Sequence, residues 1–321
     1  MTPEGVIGLN RVDHPPTPSA DDASPSPTLS SRVVWGKLRG DQITQEINDA
    51  YREVIRWKPN LFKVPSGQTG DKFIDELTRT AEFFKHDSHL EPIALTALIT
   101  MMPLLLQKPT KTSKTSDHVK YLKDRLELWK SGNLTKLIRQ GKEIQKPLLQ
   151  TDKPPPVSSD KVTKTFTRLM LQGKISSAVK WISNQSCGVG VHKVTDAILK
   201  DLEDKHPDAR EPSPDALLQG PVMDVEPVAF ERINGNAIYR AALHCKGSGG
   251  PSGANADCWK RVLCGKGFKS HSKRLCDAIA NIGKRMCTEN IEPQHLQAFN
   301  ASRLIPLDNK NMRQFGVAHE I

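Results

Sequence analysis

The residues with the most chemical potential lie between Cys245 and Lys310. Lys246–Trp259 reads K-G-S-G-G-P-S-G-A-N-A-D-C-W, with four glycines and one proline inside eight residues. Glycine has no Cβ and tolerates positive φ, so a turn this rich in it lets backbone approach a partner closely. The pattern is not a P-loop, because no Lys-Ser/Thr pair follows at the required spacing, and it is not a dinucleotide loop, because no strand precedes it. Taken alone it is a flexible turn.

From Cys258 to Arg313 there are eleven Lys and Arg against four Asp and Glu. Lys260, Arg261, Lys273, Arg274, Lys284, Arg285, Arg303 and Lys310 are the candidate contacts on that stretch. Such a run is either a solvated face or a phosphate-binding surface, and binding of the second kind is salt-sensitive and blind to base sequence. Trp259 sits within this charge, but a lone Trp at a helix start reads as core rather than as a stacking platform. Cys245, Cys258, Cys264 and Cys276, with His244 and His271 nearby, raise zinc. Their spacing, C-x12-C-x5-C-x11-C, lacks the close ligand pairs that fold a short loop round a metal, so they read as free thiols on helices. No G-x-S-x-G and no H-E-x-x-H occurs, and the Glu203-Asp204 pair reads as a solvated helix end. No catalytic residue, metal set or cofactor is predicted.

The elements that must carry these residues are short. The chain has 321 residues, 37% hydrophobic and only 5% aromatic, with 23 prolines and a formal net charge of +10. Small helical units with linkers are expected, and an acidic partner such as RNA or DNA. The N-terminus has no basic segment followed by an apolar core, and no apolar run approaches a membrane span. Reduced thiols and an intracellular location, nuclear or cytoplasmic, are the expectation.

Residues 1–31 are rich in Pro and Ser and predict a disordered tail. From Asp41, which can cap, Ile43, Ile47, Tyr51, Val54 and Ile55 fall at helical spacing until Pro59. A second helix opens at Asp71, with Phe73, Ile74, Leu77 and Phe84 on one face. A third starts at Glu91-Pro92 and stops before Pro103. Helices over 118–130 and 133–144 complete a helical domain, residues 32–150, whose C-terminal part is basic. Pro154-Pro155-Pro156 marks a linker, residues 151–160. Beyond it the helices expected are one from Ser159 or Asp160 interrupted at Gly173, one from Ile175 to Ile182 with Trp181 buried, and one from about Val194 to Lys205. Asn234 then caps 237–243, Asn255–Leu263 is short, Lys269–Cys287 is amphipathic, and Pro293–Phe299 precedes a strand at Leu304–Leu307. The fold class predicted is mainly α: two small helical segments joined by a Pro-rich linker, with at most one or two short strands near the C-terminus.

Two stretches carry a resemblance. The Gly-rich loop from Lys246 to Gly253, followed about fifty residues later by Arg303-Leu304-Ile305-Pro306-Leu307-Asp308-Asn309-Lys310, resembles the approach to the fingers in reverse transcriptases of the non-LTR-retrotransposon type. Trp57–Gly67 and Pro103–Pro109 resemble the region upstream of it in the same proteins. In that family the strand runs on into an Arg-Pro-Ile-Gly-type segment and a palm with paired catalytic aspartates, whereas here the chain reads Asn311-Met312-Arg313-Gln314-Phe315-Gly316. The resemblance therefore implies a helical region before the fingers over residues 161–310, a divergent tail over 311–321, truncation before the catalytic palm, and a nucleic-acid-binding protein without polymerase chemistry. In the family the loop is implicated in template handling, which implies that Lys246 and the backbone N–H groups around Gly249–Gly253, Gly250 and Gly253 among them, touch phosphate, and a basic residue at the end of the strand, here Lys310, faces template or nucleotide. Two other classes stay open: a helical protein–protein interaction module derived from such an element, and an enzyme of another kind.

Overall fold

A computed structural model describes residues 32–85, 88–110, 112–150, 159–186, 225–247, 249–307 and 314–319, with isolated positions between 196 and 204. The expected disordered tail, the linker over 151–158 and most of the helix expected from Val194 to Lys205 lie outside the described residues. The described chain is mainly helical, as its periodicity predicts.

It opens on a hairpin that the sequence reading did not anticipate: β1 (Val34–Trp35) pairs antiparallel with β2 (Leu38–Arg39). Gly36 makes the turn at φ +58°, and a Cβ there would lie 2.1 Å from the Ser131 carbonyl carbon. The hairpin is clasped to a distant corner, since Trp35 Nε1 donates to the Trp129 carbonyl at 3.0 Å and Lys37 N donates to the Ser131 carbonyl at 3.0 Å.

Helix α1 (Asp41–Val54) buries Ile43, Ile47, Ala50 and Val54, one stripe at 3.6-residue spacing. Its N-cap is Gly40, so Asp41 is the first helical residue rather than the cap, placed to favour the helix dipole. Helix α2 (Gln68–Ala81) buries Phe73, Ile74 and Leu77. Helix α3 (Glu91–Leu106) is buried continuously from Ile93 to Leu106 and runs through Pro103. The sequence reading stopped it there, because an interior proline costs about 3 kcal/mol. Burial of Leu104, Leu105 and Leu106 offsets that cost at about 1.5–3 kcal/mol per side chain. The C-terminal end of α3 is also held from outside. Arg125, 3% exposed, donates from Nη1 to the carbonyls of Leu105 at 3.0 Å and Gln107 at 2.7 Å, and Phe62 N donates to the Leu106 carbonyl. Burial lowers the Arg125 pKa to about 10, so it stays charged at neutral pH.

Helices α4 (Thr115–Lys130) and α5 (Leu134–Gln150) turn back over α3. Helices α6 (Ser159–Leu171) and α7 (Ile175–Ser186) pack on each other and leave Leu171, Ile175 and Val179 exposed. Trp181, expected to be buried, has a side chain outside the described residues. A short helix α8 (Pro227–Phe230) leads to α9 (Gly235–His244), where Asn234 caps as expected and accepts from Ala237 N at 3.1 Å. Helix α10 (Ala256–Cys264) is capped by Asn255. Helix α11 (Lys269–Thr288) packs on α2, α9 and α10, and α12 (Pro293–Asn300) packs on α3.

One buried cluster therefore joins residues from both sides of the Pro-rich linker, from Trp35 and Ile43 to Val262, Phe268 and Leu275. The strand expected at Leu304–Leu307 is β3 (Ser302–Leu307). It pairs antiparallel with β4 (Gln314–His319), with Ser302 opposite His319 and Leu307 opposite Gln314, so the stretch expected as a divergent tail supplies its partner. No described helix is long and apolar enough to cross a membrane.

Candidate nucleic-acid interface

The Gly-rich loop joins α9 to α10 and packs against the stretch that follows α1. A Cβ at Gly253, φ +72°, would lie 3.3 Å from Pro59 Cβ. Arg261 on α10 donates from Nε to the Val64 carbonyl at 3.1 Å and from Nη2 to Ser66 Oγ at 2.8 Å, with its guanidinium 4.8 Å from the Phe268 ring centroid. The Gly-rich loop, the helix that follows it and the Trp57–Gly67 stretch are thus brought together in space. The loop is closed on itself: Gly250 is buried, Gly253 N donates to the Gly250 carbonyl, and Ala254 N donates to Ser252 Oγ. The Gly253 N–H is thus used within the loop, while Lys246, just past the C-cap of α9, is exposed.

Many of the candidate cations have intramolecular partners. Arg274 pairs with Asp75 at 3.3 Å, and Asp75 also meets His271 Nδ1 at 2.7 Å, which ties α11 to α2. Lys284 pairs with Glu231. Arg285, 14% exposed, pairs with Glu91 at 3.0 Å and Glu289 at 2.7 Å and sits 4.9 Å from the Phe84 ring centroid. Its hydrogen bond to Glu289, then that to Glu91, outweigh burial and hold its pKa above the ordinary value. Arg261, Arg274 and Arg285 thus fasten the C-terminal helices to the N-terminal ones. Arg303 lies on β3, and its side chain is outside the described residues, as is all of Lys310.

A second group of cations is differently placed. Lys266, Lys269 and Lys273 share the lining of a cavity of about 340 Å³ with Asn236 and Tyr239 of α9 and with Leu263, Cys264 and Cys276. None of the three lysines makes an ion pair among the described residues. The turn Gly265–Phe268 and the start of α11 bring them together: Lys266 is in the turn, and Lys269 and Lys273 are one helical turn apart on one face. Lys269 has φ +30°, a conformation that costs a side-chain-bearing residue free energy. Asp277 stands one turn beyond Lys273, where a Cβ on Gly235 would lie 2.0 Å from its carboxylate oxygen. The buried side chains of the lining are Leu263, Cys276 and Ser272, whose hydroxyl donates to the Val262 carbonyl at 2.6 Å. Leu263 and Cys276 are buried, and burial pushes the Cys276 thiol up to about 11, so it is neutral. Cys264 is also raised by burial, against the pull of Lys260, which is half-buried nearby. At the mouth Tyr239 is 43% exposed.

The sequence reading counted Lys266 and Lys269 within the basic run but did not single them out, and it missed Tyr239 and Asn236. The signal available was the i, i+3 pair Asn236/Tyr239 on a short helix. A further cavity of about 220 Å³ lies between α3, α9, α10, α11 and α12 and is lined by apolar side chains, among them Leu98, Ile99, Trp259, Ile282 and Phe299. Trp259 is 7% exposed and belongs to the core. Among the described residues no three His, Cys, Asp or Glu side chains converge as a metal site, and five free cysteines are present.

No family model matches the chain, and comparison with curated proteins and with solved structures also finds no match.

Proposed function

We propose that this chain is a non-catalytic nucleic-acid-binding protein of retroelement type, acting in the nucleus or cytoplasm on RNA or DNA. The observation that carries this reading is the convergence of Lys266, Lys269 and Lys273 on one cavity, with no ion pair to any of them among the described residues. Nearby Arg274, Lys284 and Arg285 are spent on intramolecular pairs. A cation that forms no ion pair with a carboxylate can exchange its counterions for phosphate. The resemblance of Lys246–Lys310 to the approach to the reverse transcriptase fingers supports the same reading. Lys260 lies close enough to Cys264, in the cavity lining, to lower its pKa against the effect of burial.

The test is a salt titration of binding to a labelled oligonucleotide. Three or four phosphate contacts to a single strand predict that log K falls with log salt at a slope of about −2 to −3. The variant K266A/K269A/K273A should lose affinity and flatten the slope by about 0.7 per lysine. No binding at low salt would overturn the reading.

A second reading, a helical protein–protein interaction module, is favoured by α6 and α7, which expose Leu171, Ile175 and Val179 at 84%, 60% and 55%. Unpaired apolar side chains on neighbouring helices are usual where a protein partner docks. Salt-insensitive self-association or partner binding lost on L171S/V179S would favour it.

A further inference from the structure

We propose that the cavity between α9 and α11 selects single-stranded nucleic acid, seating one unpaired base against Tyr239 while Lys266, Lys269 and Lys273 hold the flanking phosphates. This rests on the nucleic-acid reading above and names the class of strand that the site takes. A flat row of lysines would serve duplex and single strand alike, because both present phosphate. This site is concave. Its buried side chains, Leu263, Cys276 and Ser272, are neutral, its volume is about 340 Å³, and an aromatic ring stands 43% exposed at its mouth beside the amide of Asn236. Neutral floor, exposed ring and amide suit the faces and edges of a base, and the lysines suit what lies on either side of it.

A base within a duplex is stacked on both faces and paired along its edge, so it reaches such a cavity only by leaving the stack, at a cost of a few kcal/mol. An unpaired base pays no such cost. Stacking on an aromatic ring is tolerant of base identity, because every base has a π-face. The site should therefore prefer single strands while discriminating weakly among bases. The side chain of Tyr239 makes no hydrogen bond among the described residues; its carbonyl accepts from Cys264 Sγ at 3.5 Å. Substituting the ring should therefore leave the fold in place.

The experiment measures fluorescence anisotropy of the full chain with a labelled oligouridylate of about twelve nucleotides and with a blunt duplex of the same length, both at low salt. The expected result is single-strand binding at least about tenfold tighter than duplex binding. Tyr239→Ala and Tyr239→Leu should abolish that margin, and Tyr239→Phe should keep it. Circular dichroism reports whether each variant folds, and Tyr239→Leu, which keeps an apolar side chain, carries the test where Tyr239→Ala does not fold. Equal affinity for the two forms, or a margin that survives both Tyr239→Ala and Tyr239→Leu, would overturn this inference while salt-dependent binding left the broader reading standing. Uridine monophosphate competing as well as the oligomer, nucleotide for nucleotide, would also overturn it, by making this a free-nucleotide site. Absence of binding to either strand form would overturn both.

Discussion

Arg285 separates two roles that a basic residue on this face could have. Its side chain is 14% exposed, that of Glu91 18%, and they meet at 3.0 Å between α11 and α3. Glu289, 39% exposed, gives the larger rise in the Arg285 pKa, but solvent screening reduces what that pair adds to stability. Removing one member of a fully buried pair costs about 3–5 kcal/mol, since the other charge is left uncompensated. The residual exposure here scales that to about 2–3 kcal/mol for Arg285→Met, which keeps most of the volume against Phe84. The double variant R285M/E91L removes both charges and should recover more than half of the loss, apart from about 0.5 kcal/mol for the acidic residue at the start of α3. Urea unfolding followed by tryptophan fluorescence reads both values. The single variant should bind oligonucleotide with unchanged affinity where it is folded. A variant as stable as the parent, within about 0.5 kcal/mol, but weakened in binding would refute the reasoning: Arg285 would then be a phosphate contact and not a latch.

Two other outcomes follow from the packing and from the histidines. A Cβ at Gly141 would lie 2.0 Å from the buried Trp57 ring, so Gly141→Ala should destabilise by about 1–3 kcal/mol in spite of its better helix propensity, as thermal unfolding would show. His118, stacked on Phe62 with ring centroids 4.4 Å apart, has its pKa lowered from 6.5 by burial and then by Lys108, and burial lowers His295 as well. Their folded pKa values lie below the unfolded ones, so their contribution is present above about pH 6.5 and is lost as pH falls through the folded values. Stability should thus decline on mild acidification, and His118→Phe, which keeps the stack, should flatten that decline.

The helices were legible because their burial is periodic. Ile43, Ile47 and Val54, then Phe73, Ile74 and Leu77, announce faces that the structure buries. Asn234 announces a cap, which it forms. Helix α3 was only half legible, because a local rule about Pro103 gave way to burial on every side and to a buried arginine twenty residues beyond Leu105. The β1–β2 hairpin was not legible, since two-residue strands carry no period. The division of the basic residues was hidden for a different reason. Arg274 and Arg285 find Asp75 and Glu91 across 199 and 194 residues, and no local pattern distinguishes them from Lys266, Lys269 and Lys273. The Gly-rich loop was found as a special stretch, but its packing against Pro59 and Val64 is a tertiary fact.

The most direct measurement of the site is a lysine acetylation footprint, read by mass spectrometry with and without bound oligouridylate at low salt. The account predicts protection of Lys266, Lys269 and Lys273, weaker protection of Lys246 and Lys260, and no change at Lys142 and Lys146 on α5, which pair with Glu53 and Glu143. Protection confined to α5, with the three lysines of the cavity modified equally in both samples, would contradict it.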